Sequence, residues 1–90
     1  MRVRTLPGAR HDLRQTAEYV AIDNPTAARA LIRRIQGRLR DLAVFPRQGR
    51  PAGADRRELV IAGTPYVAIY RIAGNEVQVL RVLHGRQRRG

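Results

Sequence analysis

The chain has 90 residues, no cysteine, and 18 basic against 7 acidic residues; the net charge is +11 and every basic residue is arginine. That length makes one domain, residues 1–90, with a modest core in which roughly 60–65% of the unfolded chain's surface is buried. The composition excludes disulfides and thiolate metal sites, two histidines are too few for an ordinary zinc centre, and the short apolar runs offer neither a membrane span nor a signal peptide. A cytoplasmic protein without metal or cofactor is expected.

"MRVRTL" predicts a short strand over 2–6, ended by Pro7 and Gly8. From Ala9 a helical period begins: Ala9, Leu13, Ala17, Val20 and Ala21 recur at spacings of three and four, through about residue 22. Asp12 is placed in the first turn, where the helix dipole favours an anion. "DNP" at 23–25 stops this helix and starts another, with Asn24 as cap and Pro25 at the first helical position. The second helix is predicted to run to about 44, burying Ala28, Leu31, Ile32, Ile35, Leu39 and Leu42. Arg29, Arg33, Arg34, Arg38 and Arg40 fill much of the rest, largely as a solvated face, and Gly37 is read as a point of close helix approach. A loop follows over 45–56, then a strand at 57–61, a turn at 62–65 and a stronger strand at 66–72. Gly74 and Asn75 give a two-residue hairpin loop, and 76–83 is the return strand.

The hairpin loop sets a register in which Ala73 faces Glu76, Arg71 faces Gln78, Ile69 faces Leu80, Val67 faces Val82 and Pro65 faces His84. One sheet face then carries Val67, Ile69, Leu80 and Val82. The other carries Tyr66, Ala68, Tyr70, Ile72, Val77, Val79, Arg81 and Leu83. Both are apolar enough to need a cover, and the helical hairpin covers only one. The bare face is expected to take a second polypeptide. The fold class is α+β, a β-α-α-β-β-β chain with a helical hairpin packed on a twisted, mainly antiparallel sheet.

The chemical inventory is narrow. There is no serine, so no Ser–His–Asp set, and the glycines are scattered turn residues rather than a phosphate loop. Arg, His and Tyr remain, a set that supports RNA cleavage if an acid or base moves the proton while arginines stabilise the charged transition state. The +11 surface also attracts polyanions, either nucleic acid or an acidic protein segment. The closing "RVLHGRQRRG" places His84 at a strand end and Arg86, Arg88 and Arg89 in a basic tail over 84–90.

"AR.DL...AEYVA.DNP.AA" at 9–28, "FP..GRP" at 45–51, "REL...GTPY...YRI" at 57–72 and "V.VLRVLHGR" at 77–86 together resemble the RelE/ParE superfamily of toxins from type II toxin–antitoxin modules. The resemblance spans nearly the whole chain. It implies a ParD-like ribbon–helix–helix antitoxin as partner, its C-terminal segment lying along the toxin as helix and strand. The "DNP", "GTPY" and "LHGR" blocks are most similar to the ParE branch, which implies inhibition of DNA gyrase by binding, with no catalytic residue. The RelE branch implies cleavage of messenger RNA on the ribosome. Its second-strand arginine falls on Ala62 here, Arg86 matches a later arginine, and its C-terminal tyrosine has no counterpart. On that alternative His84 and Arg86 are the catalytic candidates. A second alternative is a non-toxic binding module. Arg81, His84, Arg86, Arg88 and Arg89 are the candidates for target binding. Tyr66, Tyr70, Leu13, Leu31 and Arg57 are the candidates for antitoxin binding.

Overall fold

A computed structural model describes residues 1–87. Strand β1 (Arg2–Thr5) leads into helices α1 (Pro7–Ala21) and α2 (Pro25–Asp41). Strands β2 (Arg50–Pro51), β3 (Arg56–Val60), β4 (Tyr66–Ala73) and β5 (Glu76–His84) follow. The five strands form one sheet in the order β1-β5-β4-β3-β2, with β1 parallel to β5 and every other pair antiparallel. The α+β class and the hairpin-on-sheet arrangement are those expected from the sequence.

Pro7 and Gly8 open α1 instead of separating it from the strand. Leu6, in extended conformation, is the N-cap, and Pro7 at the first helical position loses nothing, because that N–H has no helical acceptor. Asp12 therefore lies beyond the first turn, too far along α1 for the dipole at its N-terminus to account for it. The α1–α2 junction follows the sequence reading: the Asn24 side chain accepts the Ala27 N–H at 3.0 Å, with Pro25 as the first helical residue. α2 ends at Asp41, and turns over 42–44 replace its expected last residues. Gly37 is not a close-approach point, since a Cβ there would meet only the Arg40 guanidinium at 3.8 Å. The 45–56 loop holds one short strand, β2, whose two residues pair with Glu58 and Arg57.

The core lies between the helices and one sheet face. Ala9, Ile35, Leu39 and Leu42 meet Leu59, Ile61, Ala68, Tyr70, Val77, Val79 and Val82 there. The β4–β5 register agrees with the hairpin reading from Ala73↔Glu76 back to Arg71↔Gln78. Tyr70 then faces Val79 and Ile69 faces Arg81, so Leu80 is an extra residue on β5. This bulge moves each later pair by one: Val67 faces Leu83 and Tyr66 faces His84. A one-residue slip exchanges faces. Val82 consequently joins the core, 2% exposed, while Arg81 leaves it.

The opposite sheet face is not the bare apolar surface the alternation implied. Across its β1–β5–β4 end, Arg4 pairs with Glu76 at 3.4 Å, Gln78 donates to Glu76 at 2.7 Å, and Arg71 Nε donates to Gln78 at 2.8 Å. On the β2–β3 side Arg50 holds Glu58 at 2.7 Å. Of the large apolar side chains most open to water, Val60 on β3 lies on this face beside Val67, whereas Tyr19 and Ile22 around α1 and Val44 and Phe45 after α2 lie elsewhere.

Candidate functional site

β1 pairs with only the first half of β5. Its ladder ends at Thr5↔Val79, followed by a bond from Leu6 N–H to the Val79 carbonyl at 2.9 Å. Beyond that point α1 closes the edge. Gly8 makes this approach possible, because a Cβ there would lie 3.0 Å from the Leu80 carbonyl oxygen and 3.3 Å from the Arg81 side chain. One turn on, Asp12 turns its carboxylate to the strand edge. Oδ2 accepts the Val82 backbone N–H at 2.8 Å and Arg81 Nε at 2.8 Å, and Oδ1 accepts Arg81 Nη2 at 3.0 Å. The carboxylate thus supplies the acceptor a neighbouring strand would have given. This is the role of Asp12, rather than a response to the helix dipole. Its hydrogen bond and charge together raise the Arg81 guanidinium above the ordinary arginine value.

Between this face of α1 and the end of β5 lies an open cleft of about 670 Å³. Asp12, Gln15, Thr16, Glu18 and Tyr19 form its helix wall, and Tyr66, Val82, His84, Arg86 and Gln87 the other side. The turn before β4 sets the Tyr66 backbone: Thr64 Oγ1 donates to the Ile61 carbonyl at 2.9 Å and accepts the Tyr66 N–H at 3.0 Å. Gly63 has φ +81° in that turn, a conformation that favours glycine. The His84 ring stands edge-on to Tyr66, centroids 5.5 Å apart at 77°.

The chain after β5 is folded back by its own bonds. Gly85 N–H donates to the Pro65 carbonyl at 2.7 Å, and Gln87 N–H to the His84 carbonyl at 2.8 Å. The Gln87 side-chain oxygen accepts the His84 N–H at 2.8 Å. His84 Nδ1 accepts the Arg86 N–H at 3.2 Å, which assigns the proton of the neutral imidazole to Nε2. The cleft therefore presents an imidazole N–H donor, a phenol ring and the exposed Arg86. It is equipped to bind by hydrogen bonds, ring contacts and charge. Among the described residues no carboxylate accepts from His84, so the imidazole has no orienting acid of the kind a general base uses.

The target-binding candidates Arg81, His84 and Arg86 come together at this end of β5; Arg88 and Arg89 lie outside the described residues. The antitoxin-binding candidates do not form one surface. Tyr66 lines the cleft and, like Leu13 and Leu31, is partly buried against the core. Arg57 sits by the 47–49 loop and donates to the Gly49 carbonyl at 2.6 Å. Tyr70 is an interior residue and offers no docking surface: it is 0% exposed, its hydroxyl accepting the Gly49 N–H and donating to the Pro46 carbonyl. The sequence reading gave Asp12 another role and did not single out Gln15, Thr16 or Tyr19 on the same face. Their spacing of three and four marks a second face of α1, polar and aromatic, that was legible beside the apolar one.

The family model of the ParE toxin of the type II toxin–antitoxin system parDE matches residues 3–89. The chain belongs to the ParE toxin family. It is 37% identical to Y4kP of Sinorhizobium fredii, named as a toxin, over 96% of this chain and 90% of that one. It is 36% identical to toxin RelE2 of Caulobacter vibrioides, over 81% of this chain and 82% of that one. Among solved structures it is similar to the chromosomal ParDE toxin–antitoxin system from P. aeruginosa. There the TM-score is 0.85 at 27% identity, with 93% of this chain and 95% of that chain covered. The Asp12 clamp and the cleft are thus features of a ParE-family toxin whose relatives carry both ParE and RelE names.

Proposed function

We propose that this toxin is held inactive by a cognate ParD-like antitoxin and that, when free, it inhibits DNA gyrase by binding through the surface around the end of β5. The observation that carries the proposal is the cleft itself. A ring pair, an imidazole donor and an exposed arginine converge on one strand end, and the chain after it is pinned back by four hydrogen bonds. Such a surface is suited to gripping a partner by hydrogen bonds, ring contacts and charge. The Arg81 guanidinium is already committed to Asp12, and position 62 is alanine, so of the described arginines Arg86 alone lines the cleft beside His84. The antitoxin is expected to cover the apolar side chains left in water, with Val44 and Phe45 at one end of α2 and Tyr19 and Ile22 along α1 as the largest.

The experiment is induction of the chain without its antitoxin, with DNA supercoiling and protein synthesis read out separately. Early loss of negative supercoiling with translation intact supports the gyrase reading. The second reading, a ribosome-dependent ribonuclease, is favoured by the RelE name of a relative 36% identical to this chain. It requires early, site-specific cleavage of messenger RNA that His84→Ala or Arg86→Ala reduces by orders of magnitude. Growth unaffected by induction would contradict both and leave a non-toxic binding module.

A further inference from the structure

The arginine surplus is unevenly placed. The acids at positions 12, 41, 55, 58 and 76 are each ion-paired to an arginine. Those pairs sit on the sheet, at its edges and at the end of α2. The outer face of the helical hairpin has none of them among the described residues. On α1, positions 10, 14, 17 and 21 share one stripe, and on α2 positions 29, 33, 36 and 40 share another. Ala17 and Ala21 of the first stripe line a groove with Ala28, Arg29, Ile32 and Arg33 of α2, so the two stripes flank one seam. It is apolar only near the interhelical turn. Arg10, Arg14 and Arg40 continue it to the far end of the hairpin, and all five arginines are exposed. Of the other two acids, Glu18 lines the cleft on the far face of α1, four residues on from Arg14, and Asp23 lies in the interhelical turn.

We propose that this seam is a binding surface for the sugar–phosphate backbone of duplex DNA, held by Arg10, Arg14, Arg29, Arg33 and Arg40. Arg29 and Arg40 are eleven residues apart, about 16 Å along the helix, enough to reach phosphates on both sides of a major groove about 12 Å wide. No aromatic side chain lies on either stripe, so the stacking that single strands require is absent. Gln36 is the one uncharged polar side chain on them, which leaves contacts that position a duplex without reading its sequence. An acidic peptide helix would use the apolar floor, yet three of the five arginines extend past it. Guanidinium forks suit phosphate oxygens, and charge repeated along the whole hairpin suits a polyanion of regular spacing. The proposal rests on the gyrase reading only for the choice of DNA as the polyanion: a toxin bound to a DNA-wrapping enzyme would find a duplex within reach.

The test is fluorescence anisotropy of a labelled DNA duplex of about 20 base pairs with the purified chain, at salt from about 50 to 200 mM. Backbone contacts release counterions, so five arginines give a slope of log affinity against log salt of about −4.5, or steeper with help from the tail. Arg29→Ala, Arg33→Ala and Arg40→Ala together should make that slope shallower by about 2.7 and weaken low-salt binding at least about tenfold. The triple Arg→Lys variant should keep the slope, since lysine also neutralises phosphate, which separates lost charge from lost folding. An unchanged slope in the alanine variant would overturn the assignment. So would binding of a glutamate-rich peptide, abolished by the same alanines, in a chain that ignores DNA. No gyrase is present in this assay, so a negative result removes the DNA surface and leaves the target reading intact.

Discussion

Replacing Asp12 with alanine removes three hydrogen bonds, and the structure says how their loss is distributed. The Val82 N–H is interior; the residue is 2% exposed and no β1 residue is paired to it. Leaving that donor without an acceptor costs about 1–3 kcal/mol. The Arg81 side chain is 53% exposed, so water takes back most of what the carboxylate gave it, and its share is about 0–1 kcal/mol. Asp12→Ala should therefore destabilise the fold by about 1–4 kcal/mol, at about 4–8 °C in Tm for each kcal/mol in a domain this size. Asp12→Asn keeps an acceptor for Val82 and should cost about half as much. Arg81→Ala leaves the backbone bond in place and should cost less than either. Urea unfolding followed by circular dichroism on the three variants measures the order. Were Arg81→Ala the most damaging, or Asp12→Ala within about 0.5 kcal/mol of the parent chain, the edge-closing role of Asp12 would be wrong.

Three further outcomes follow from the same packing. Tyr70→Phe strips the hydroxyl that joins Gly49 N–H to the Pro46 carbonyl, leaving a buried donor; urea titration should show a loss of about 1–3 kcal/mol with an unchanged slope. Gly49→Ala should be at least as damaging, because its Cβ would fall 2.7 Å from the Tyr70 ring and 2.8 Å from the Glu58 carbonyl oxygen. Thermal melts of that variant should show the lower Tm. Gly37→Ala should instead stabilise the chain by about 1 kcal/mol, since the site is helical and open, and a melting curve shifted upward by several degrees is the check.

Local chemistry was legible where it acts alone. The Asn24–Pro25 restart and the Gly74–Asn75 loop each need only neighbours in sequence, and both came out as read. The bulge at Leu80 did not show, because an extra residue in a run of β-branched and aliphatic side chains leaves the alternation locally intact and changes only its phase. That phase change is what puts Val82 in the core and Arg81 beside α1. Asp12 was misread for a related reason: its acceptors are satisfied by residues 69 and 70 positions away, a relation no helix pattern carries. Pro7 and Gly8 look like a turn in isolation, yet proline is a good first helical residue and glycine lets the helix approach the Leu80 backbone. For the site, the basic strand end was visible as "LHGR", whereas the helix wall emerged only once α1 was seen to present two faces.

The decisive measurement is a supercoiling assay with purified gyrase and the free chain, run beside a variant that ends at Gly85. The account predicts inhibition by the full chain, reversal when its antitoxin is added, and loss of inhibition without residues 86–90 while antitoxin binding persists. Gyrase activity untouched by the full chain, or inhibited equally by the shortened one, would contradict it.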